Sequence, residues 1–284
     1  MNIETGQFLR FQIPARARTL WLGSAWAALC GLIASSAFAW TGRDIVIAAL
    51  AMVIADGAWA TQWWGFVDTE WRQIFANWSA IAVERTGSAL AWRGSPADRS
   101  QHNLARLRVW WQSGGREQAG TPFISALAAL ALGVLLSAVV GWQALALTFA
   151  AFAATQLALI LRLHGRAINW LHGFVAIGLT WMLGHAVFGD LTLLSTLAAV
   201  IFSFVYAAML DLADGAPATR RWLLPQIVLV IVLIWLQQPI SALALIAVLI
   251  AQALLATVMH SLDFARAAQW WLMLAMLVVA LGIR

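Results

Sequence analysis

The sequence predicts an all-α integral membrane protein, built as a bundle of nine transmembrane helices. The chain has 284 residues, of which 63% are hydrophobic and only 10% are charged. That is too few polar side chains to cover a water-soluble protein of this size. The apolar residues are gathered in runs close to the roughly 20 residues that an α-helix needs to cross a bilayer. We therefore expect one transmembrane domain, residues 1–284.

Nine apolar runs follow one another along the chain and are separated by polar turns. Glycine, aspartate and proline mark most of these turns, and such residues commonly end one helix or begin the next. Pro122 is expected in the first turn of the third run, where its missing N–H costs no hydrogen bond. The predicted spans are residues 19–40, 45–64, 122–140, 144–161, 170–188, 191–210, 222–236, 240–260 and 267–283.

The longest polar segment, residues 65–120, lies between the second and third predicted spans. It mixes arginine with large aromatic residues, as where Arg108 is followed by Trp110 and Trp111. This mixture is typical of helices that lie in the interface between membrane and water. We therefore predict one or two interfacial helices in this segment.

The basic residues, all of them arginine, predict how the chain is oriented. Loops on the cytoplasmic side of a membrane carry an excess of positive charge. With a cytoplasmic amino terminus, fifteen of the seventeen arginines are cytoplasmic, and only Arg43 and Arg284 lie outside. We therefore expect a multi-pass protein of the bacterial inner membrane, with tryptophans at span ends, such as Trp63, in an aromatic belt. Arginines spread over short loops do not form a basic face, so nucleic acid is not an expected partner.

Two aspartates, Asp211 and Asp214, close the sixth predicted span. Residues three apart on a helix share a face, so the two carboxylates should converge. Such a pair could hold a hard cation together with a phosphate. The alternative is a pair of solvated charges at a helix end, beside Arg220 and Arg221.

Few polar residues fall within the predicted spans. Asp56 lies near the middle of the second span, where a charge costs about 2.5–3.5 kcal/mol. It is expected to face the bundle interior, either as a functional group or as a structural hydrogen-bond acceptor for a neighbouring helix. Gln156 and Gln252 are expected to form hydrogen bonds between helices.

Three stretches resemble members of the UbiA superfamily of intramembrane prenyltransferases. Residues 15–31 are similar to the arginine-rich start of that family's first helix, especially in its menaquinone-type branch. Residues 172–184 resemble its fifth helix, and the segment through Asp211 resembles its sixth. The nine predicted spans and the long loop after the second are also similar to the family's layout. The resemblance implies a UbiA-like fold.

The resemblance also implies a function. Members of that family transfer a prenyl group from a prenyl diphosphate to an acceptor in the lipid phase, using Mg²⁺ held between two aspartate-rich motifs. Only Asp68 matches the first motif, and Arg72 stands where its last aspartate would fall. In the second motif Asp211 matches, and Asp214 lies one residue early. The implied catalytic and Mg²⁺-binding residues are Asp68, Asp211 and Asp214, and the implied diphosphate-binding residues are Arg72, Arg220 and Arg221.

The incomplete first motif leaves a second function open. Magnesium requires near-octahedral ligation by oxygen, which an arginine at position 72 cannot supply. In the second interpretation the chain is a degenerate UbiA-like protein without transferase activity. It then binds an isoprenoid, a quinone, a carotenoid or a tetrapyrrole lipid as a subunit of a larger membrane complex.

Overall fold

The computed structural model describes residues 23–75, 81, 95–216 and 220–284. Within these residues the chain is helical and contains no strand. The all-α prediction is therefore confirmed for this part of the protein. The arginine-rich start of the first predicted span, before residue 23, lies outside the described residues.

The helices follow the apolar runs of the sequence. Within the described residues, six helices are long and apolar enough to cross a membrane, and two shorter apolar helices accompany them. The protein is therefore a multi-pass membrane protein, while the count of nine spans stays a prediction. In chain order the helices are α1 (Ser24–Ala34), α2 (Gly42–Asp68), α3 (Trp71–Ile74), α4 (Pro96–Trp110), α5 (Arg116–Val140), α6 (Trp142–Leu163), α7 (residues 169–186), α8 (Leu193–Ala213), α9 (Leu223–Trp235), α10 (Pro239–Val258) and α11 (Ser261–Gly282).

Several helix ends differ from the predicted ones. Helix α1 ends at Ala34 rather than at residue 40, because Ser35 bonds back to the carbonyl of Leu32 and Ser36 adopts a φ of 54°. Helix α5 begins at Arg116, six residues before the predicted start, so Pro122 lies inside the helix. Helix α4 occupies the long polar segment in which interfacial helices are predicted.

Short stretches of π-helix interrupt the regular pattern of two helices. They cover Val53–Trp59 and Trp64–Asp68 in α2, and Phe174–Leu179 in α7. A further stretch, Trp111–Gly115, joins α4 to α5. Such wider turns are rare, and they occur often at functional sites. Here one of them carries Asp68 at the end of α2.

Helices α1 and α7 pack with their backbones almost in contact. A Cβ atom built on Gly31 would lie 1.9 Å from the carbonyl oxygen of Trp181, and one built on Gly184 would lie 1.9 Å from that of Ala28. Small residues are favoured where membrane helices approach closely, because dispersion forces and polar contacts hold the helices together there. These two glycines fix the crossing point of the two helices.

Buried tryptophans connect other helices through their indole N–H groups. Trp59 of α2 donates to the Thr148 hydroxyl of α6 at 3.3 Å, and Trp181 of α7 donates to the Ser195 hydroxyl of α8 at 2.9 Å. Trp63 is also fully buried. Its predicted place in an aromatic belt is therefore wrong: Trp63 packs inside the bundle.

Candidate functional site

The first part of the candidate site is an acidic cluster at the end of α2. Asp68 is the last residue of this helix, and Glu70 follows it in a short turn. The guanidinium of Arg162, in the last turn of α6, donates to Glu70 Oε1 at 2.7 Å and lies 3.8 Å from Asp68 Oδ1. The Asp68 and Arg162 side chains are only 17% and 18% exposed. This limited exposure strengthens their attraction relative to a pair on an open surface.

The second part is the aspartate pair at the end of α8. Asp211 lies in the last turn of this helix and Asp214 directly follows it. The side-chain amide of Asn169, the first residue of α7, donates to Asp211 Oδ1 at 2.8 Å and to Asp214 Oδ2 at 2.9 Å. Because one amide nitrogen reaches both carboxylates, the two must lie side by side, as their spacing predicts.

Both acidic clusters are attached to the same short connection. Arg162 lies in the last turn of α6 and Asn169 begins α7, so only six residues separate the partner of Asp68 from the partner of the aspartate pair. A trans peptide chain of this length spans at most about 25 Å, even when it is fully extended. The ends of α2, α6 and α8 and the start of α7 therefore share one end of the bundle, which is the predicted cytoplasmic end.

A row of buried rings links α2 to α8 beneath this end. The His172 imidazole of α7 lies between the rings of Trp63 and Tyr206, with centroid distances of 4.9 and 6.2 Å. Asp68 and Asp211 each lie five residues beyond their ring in the chain. The two carboxylates therefore extend toward the same end of the bundle, on two helices that are linked through the His172 ring of α7.

The predicted diphosphate-binding arginines have different surroundings. Arg72 donates through both Nε and Nη2 to the carbonyl oxygen of Leu163. It thereby satisfies an unpaired carbonyl at the end of α6. The side chain of Arg221 is exposed, and that of Arg220 lies outside the described part of the protein. The diphosphate-binding role of these three arginines stays a prediction.

The residues that hold the acidic clusters were missed by sequence reasoning. Arg162 and Asn169 are the first and last residues of the loop between the fourth and fifth predicted spans, and nothing in that loop indicates their partners. His172 lies near the start of the fifth predicted span, where the sequence does not indicate which rings it contacts. The one available sequence signal for these partners was the pair of polar side chains at the ends of this loop, the arginine Arg162 and the amide Asn169.

The carboxylate oxygens at this site suit one Mg²⁺ ion that is also bound by a substrate. In the described ranges, no group of three Asp, Glu, His or Cys side chains is arranged to hold a metal. Magnesium commonly uses one or two carboxylates and completes its ligand shell with substrate phosphates and water. Asp211 and Asp214 meet that requirement, because each accepts the Asn169 amide through one oxygen and has a second oxygen available.

Asp56, the polar candidate inside α2, faces the first turn of α1. Its carboxylate lies close to the hydroxyl of Ser24 and to the backbone amides of Ser24 and Ala25. The N-cap residue of α1 is Gly23, which has no side chain to bond these amides. Asp56 is therefore placed beside the start of a neighbouring helix, but its Oδ1 atom and the Ser24 hydroxyl have no hydrogen-bond partner within the described residues, so both of its predicted roles stay predictions.

The change Asp56→Ala should lower the free energy of unfolding by about 1–2 kcal/mol, the usual effect of removing an N-terminal helix cap. Thermal unfolding of the purified protein in detergent measures this loss. Asp56→Asn keeps an oxygen acceptor, so it should recover most of the stability. An alanine variant that melts at the wild-type temperature would contradict the capping role.

Comparison of the chain with models of protein families, with curated proteins and with solved structures gives no match.

Proposed function

We propose that the protein is a UbiA-like intramembrane prenyltransferase of the bacterial inner membrane, with nine spans and a cytoplasmic amino terminus. It transfers a prenyl group from a prenyl diphosphate to a lipid-phase acceptor and depends on Mg²⁺. One observation carries the proposal: the acidic ends of α2 and α8 are both bonded to the single connection between α6 and α7. This arrangement gathers carboxylates, an amide and a guanidinium at one end of an apolar bundle.

Each group at the site has a place in this chemistry. Asp211 and Asp214 would hold the Mg²⁺ ion, and the amide of Asn169 keeps their carboxylates together. When bound, this ion supplies positive charge that stabilises the diphosphate as it leaves. The guanidinium of Arg162, which lies beside Asp68, supplies a second positive charge for the diphosphate. The guanidinium group suits the oxygens of a phosphate, which it can bind in a bidentate manner.

The buried rings suit the carbon side of the same reaction. The carbon–oxygen bond to the diphosphate breaks, and both electrons leave with that group. The allylic cation that remains joins the acceptor, which releases a proton. The rings of Trp63 and Tyr206 lie five residues before Asp68 and Asp211 on their helices, and the His172 ring lies between them, so that together they exclude water. The faces of tryptophan and tyrosine also attract a cation.

One observation favours the second function. Arg162 already faces Asp68 and Glu70, so the chain itself balances one of the two negative charges there. A protein that had lost the first metal-binding motif would need such a partner for its remaining acids. In this alternative the chain binds an isoprenoid, a quinone, a carotenoid or a tetrapyrrole lipid, and other membrane subunits surround it.

Release of diphosphate tests the first function. Purified protein in detergent is given farnesyl, geranylgeranyl or longer polyprenyl diphosphate that carries a labelled terminal phosphate, with Mg²⁺ or with EDTA. We expect release of labelled diphosphate only when Mg²⁺ is present. No release from any of these substrates, with Mg²⁺ and membrane lipid extract supplied as an acceptor source, would overturn the transferase proposal.

Gentle extraction tests the second function. The protein is released from its own membrane with a mild detergent, and its size, absorption spectrum and extracted lipids are measured. Co-migrating subunits together with a bound pigment or quinone support the subunit role. A chain that migrates alone and carries none of these molecules counts against that role.

A further inference from the structure

A cavity lies beside the interfacial helix α4, away from the two acidic clusters. Its volume is about 670 Å³, which is within the range of about 300–1,000 Å³ common for small-molecule sites. The end of α2, helix α3, helix α4, the start of α5 and the second half of α6 surround it. The described part of its lining is almost entirely apolar, and Arg108 and Gln156 are its polar exceptions.

Stacked aromatic rings form one wall of this cavity. Trp71 stacks on Phe75 at 6.0 Å, and Phe75 stacks on Trp110 at 4.8 Å. The rings of Trp110 and Trp111 are 6.0 Å apart. These four rings, which we call the aromatic ladder, therefore join the turn after α2 to the end of α4. Rigid aromatic walls provide a large apolar surface at a low entropic cost.

Helix α4 contributes a regular amphipathic face to the cavity. Leu104, Leu107, Arg108 and Trp111 follow the spacing i, i+3, i+4 and i+7, so they lie on one side of the helical path. Leu104 is 64% exposed and Leu107 is 42% exposed. A helix that presents leucine and tryptophan beside arginine is suited to the boundary between lipid headgroups and acyl chains.

The polar groups of the cavity select for negative charge. Among the described lining residues, Arg108 supplies a cation and none carries a carboxylate. The amide nitrogen of Gln156 has no hydrogen-bond partner within the described part of the chain. The predicted hydrogen bond of Gln156 to another helix is therefore not observed, although Gln252 does accept one from Gln226 at 3.0 Å. A buried donor of this kind needs an acceptor.

We infer that this cavity binds one anionic phospholipid of the surrounding leaflet. Its phosphate lies at Arg108, and an ester carbonyl accepts from the amide of Gln156. Its acyl chains lie against the aromatic ladder and the two leucines of α4. Such a lipid would hold the interfacial helix against the transmembrane bundle. The inference is independent of the proposed transferase activity, since neither Asp68 nor the aspartate pair lines this cavity.

Native mass spectrometry of the full-length protein in detergent tests this inference. The protein is titrated with phosphatidylglycerol and with phosphatidylcholine that carry the same acyl chains. The wild type should prefer phosphatidylglycerol by about tenfold. Both lipids carry a phosphate, but the choline ammonium of phosphatidylcholine cancels its net charge and repels Arg108, and the loss of one charged contact is worth about that much. Arg108→Gln should remove this preference. Gln156→Leu should weaken the binding of both lipids.

Arg99→Gln is the matched control for the charge. Arg99 is exposed and lies nine residues before Arg108, about two and a half helical turns, so it points away from the cavity side of α4. It should keep the wild-type preference. If Arg108→Gln folds poorly, Leu104→Glu is the second test of the anion site. The position is exposed and tolerates the change, while the new carboxylate repels the lipid phosphate. Leu104→Glu should therefore also lose the preference for phosphatidylglycerol.

Three results would overturn the inference. The first is equal binding of the two lipids by the wild type. The second is an unchanged preference in both Arg108→Gln and Leu104→Glu. The third is one-for-one displacement of phosphatidylglycerol by geranylgeranyl diphosphate at equal concentration, which would assign the cavity to the prenyl substrate instead.

Discussion

Gly184→Val is expected to leave little or no folded protein. The Cβ atom alone would lie 1.9 Å from the carbonyl oxygen of Ala28, and the three nearest heavy atoms at that point are backbone atoms that cannot rotate away. Helices α1 and α7 would have to separate along their whole contact. Overpacking of this kind usually costs about 1–3 kcal/mol and sometimes more, and here the clash is with backbone. Size-exclusion chromatography and thermal unfolding in detergent measure the outcome.

Gly42→Val is the matched control for this prediction. Gly42 is the first residue of α2, and a Cβ atom built there meets no described heavy atom within 4 Å. This variant should elute and unfold like the wild type, apart from a small helix-propensity effect. If Gly184→Val were as stable as Gly42→Val, the close crossing of α1 and α7 would be wrong.

The helices could be predicted from the sequence because their cause is local. Each long apolar run must satisfy its own backbone hydrogen bonds in a membrane, and a helix does this within the run. Their ends have a different cause. Helix α5 begins at Arg116 and continues through Pro122. Gly65 of α2 packs against it there, so closely that a Cβ atom built on Gly65 would lie 2.5 Å from the Pro122 carbonyl oxygen. Such contacts between helices leave no local signal.

In the candidate site, too, features with a local cause could be predicted and contacts between helices could not. The convergence of Asp211 and Asp214 follows from helical spacing and could be predicted. The partners of the acidic residues could not, because Asn169 is 42 residues from Asp211 and Arg162 is 92 residues from Glu70. Only the fold brings these pairs together. The burial of Trp63 against His172 was missed for the same reason, since a tryptophan near a span end is equally typical of an aromatic belt.

Asp211→Asn is expected to reduce Mg²⁺-dependent release of diphosphate by about a hundredfold or more, a loss typical of removing one charge-stabilising group from an active site. Asparagine keeps the size of the side chain and can still accept the Asn169 amide through its oxygen. The melting temperature should therefore stay near that of the wild type, while the affinity for Mg²⁺ falls. Initial rates at several Mg²⁺ concentrations separate these two effects.

Asp263→Asn is the control for this change, because Asp263 is an exposed carboxylate in the first turn of α11 whose ion pair with Arg266 spans 3.9 Å. Its loss should leave the release of diphosphate unchanged. Equal activity in the wild type and in Asp211→Asn would remove the aspartate pair from the proposed chemistry. The subunit role would then account better for the pair, since a carboxylate that only anchors α7 to α8 through Asn169 can be replaced by an amide without loss.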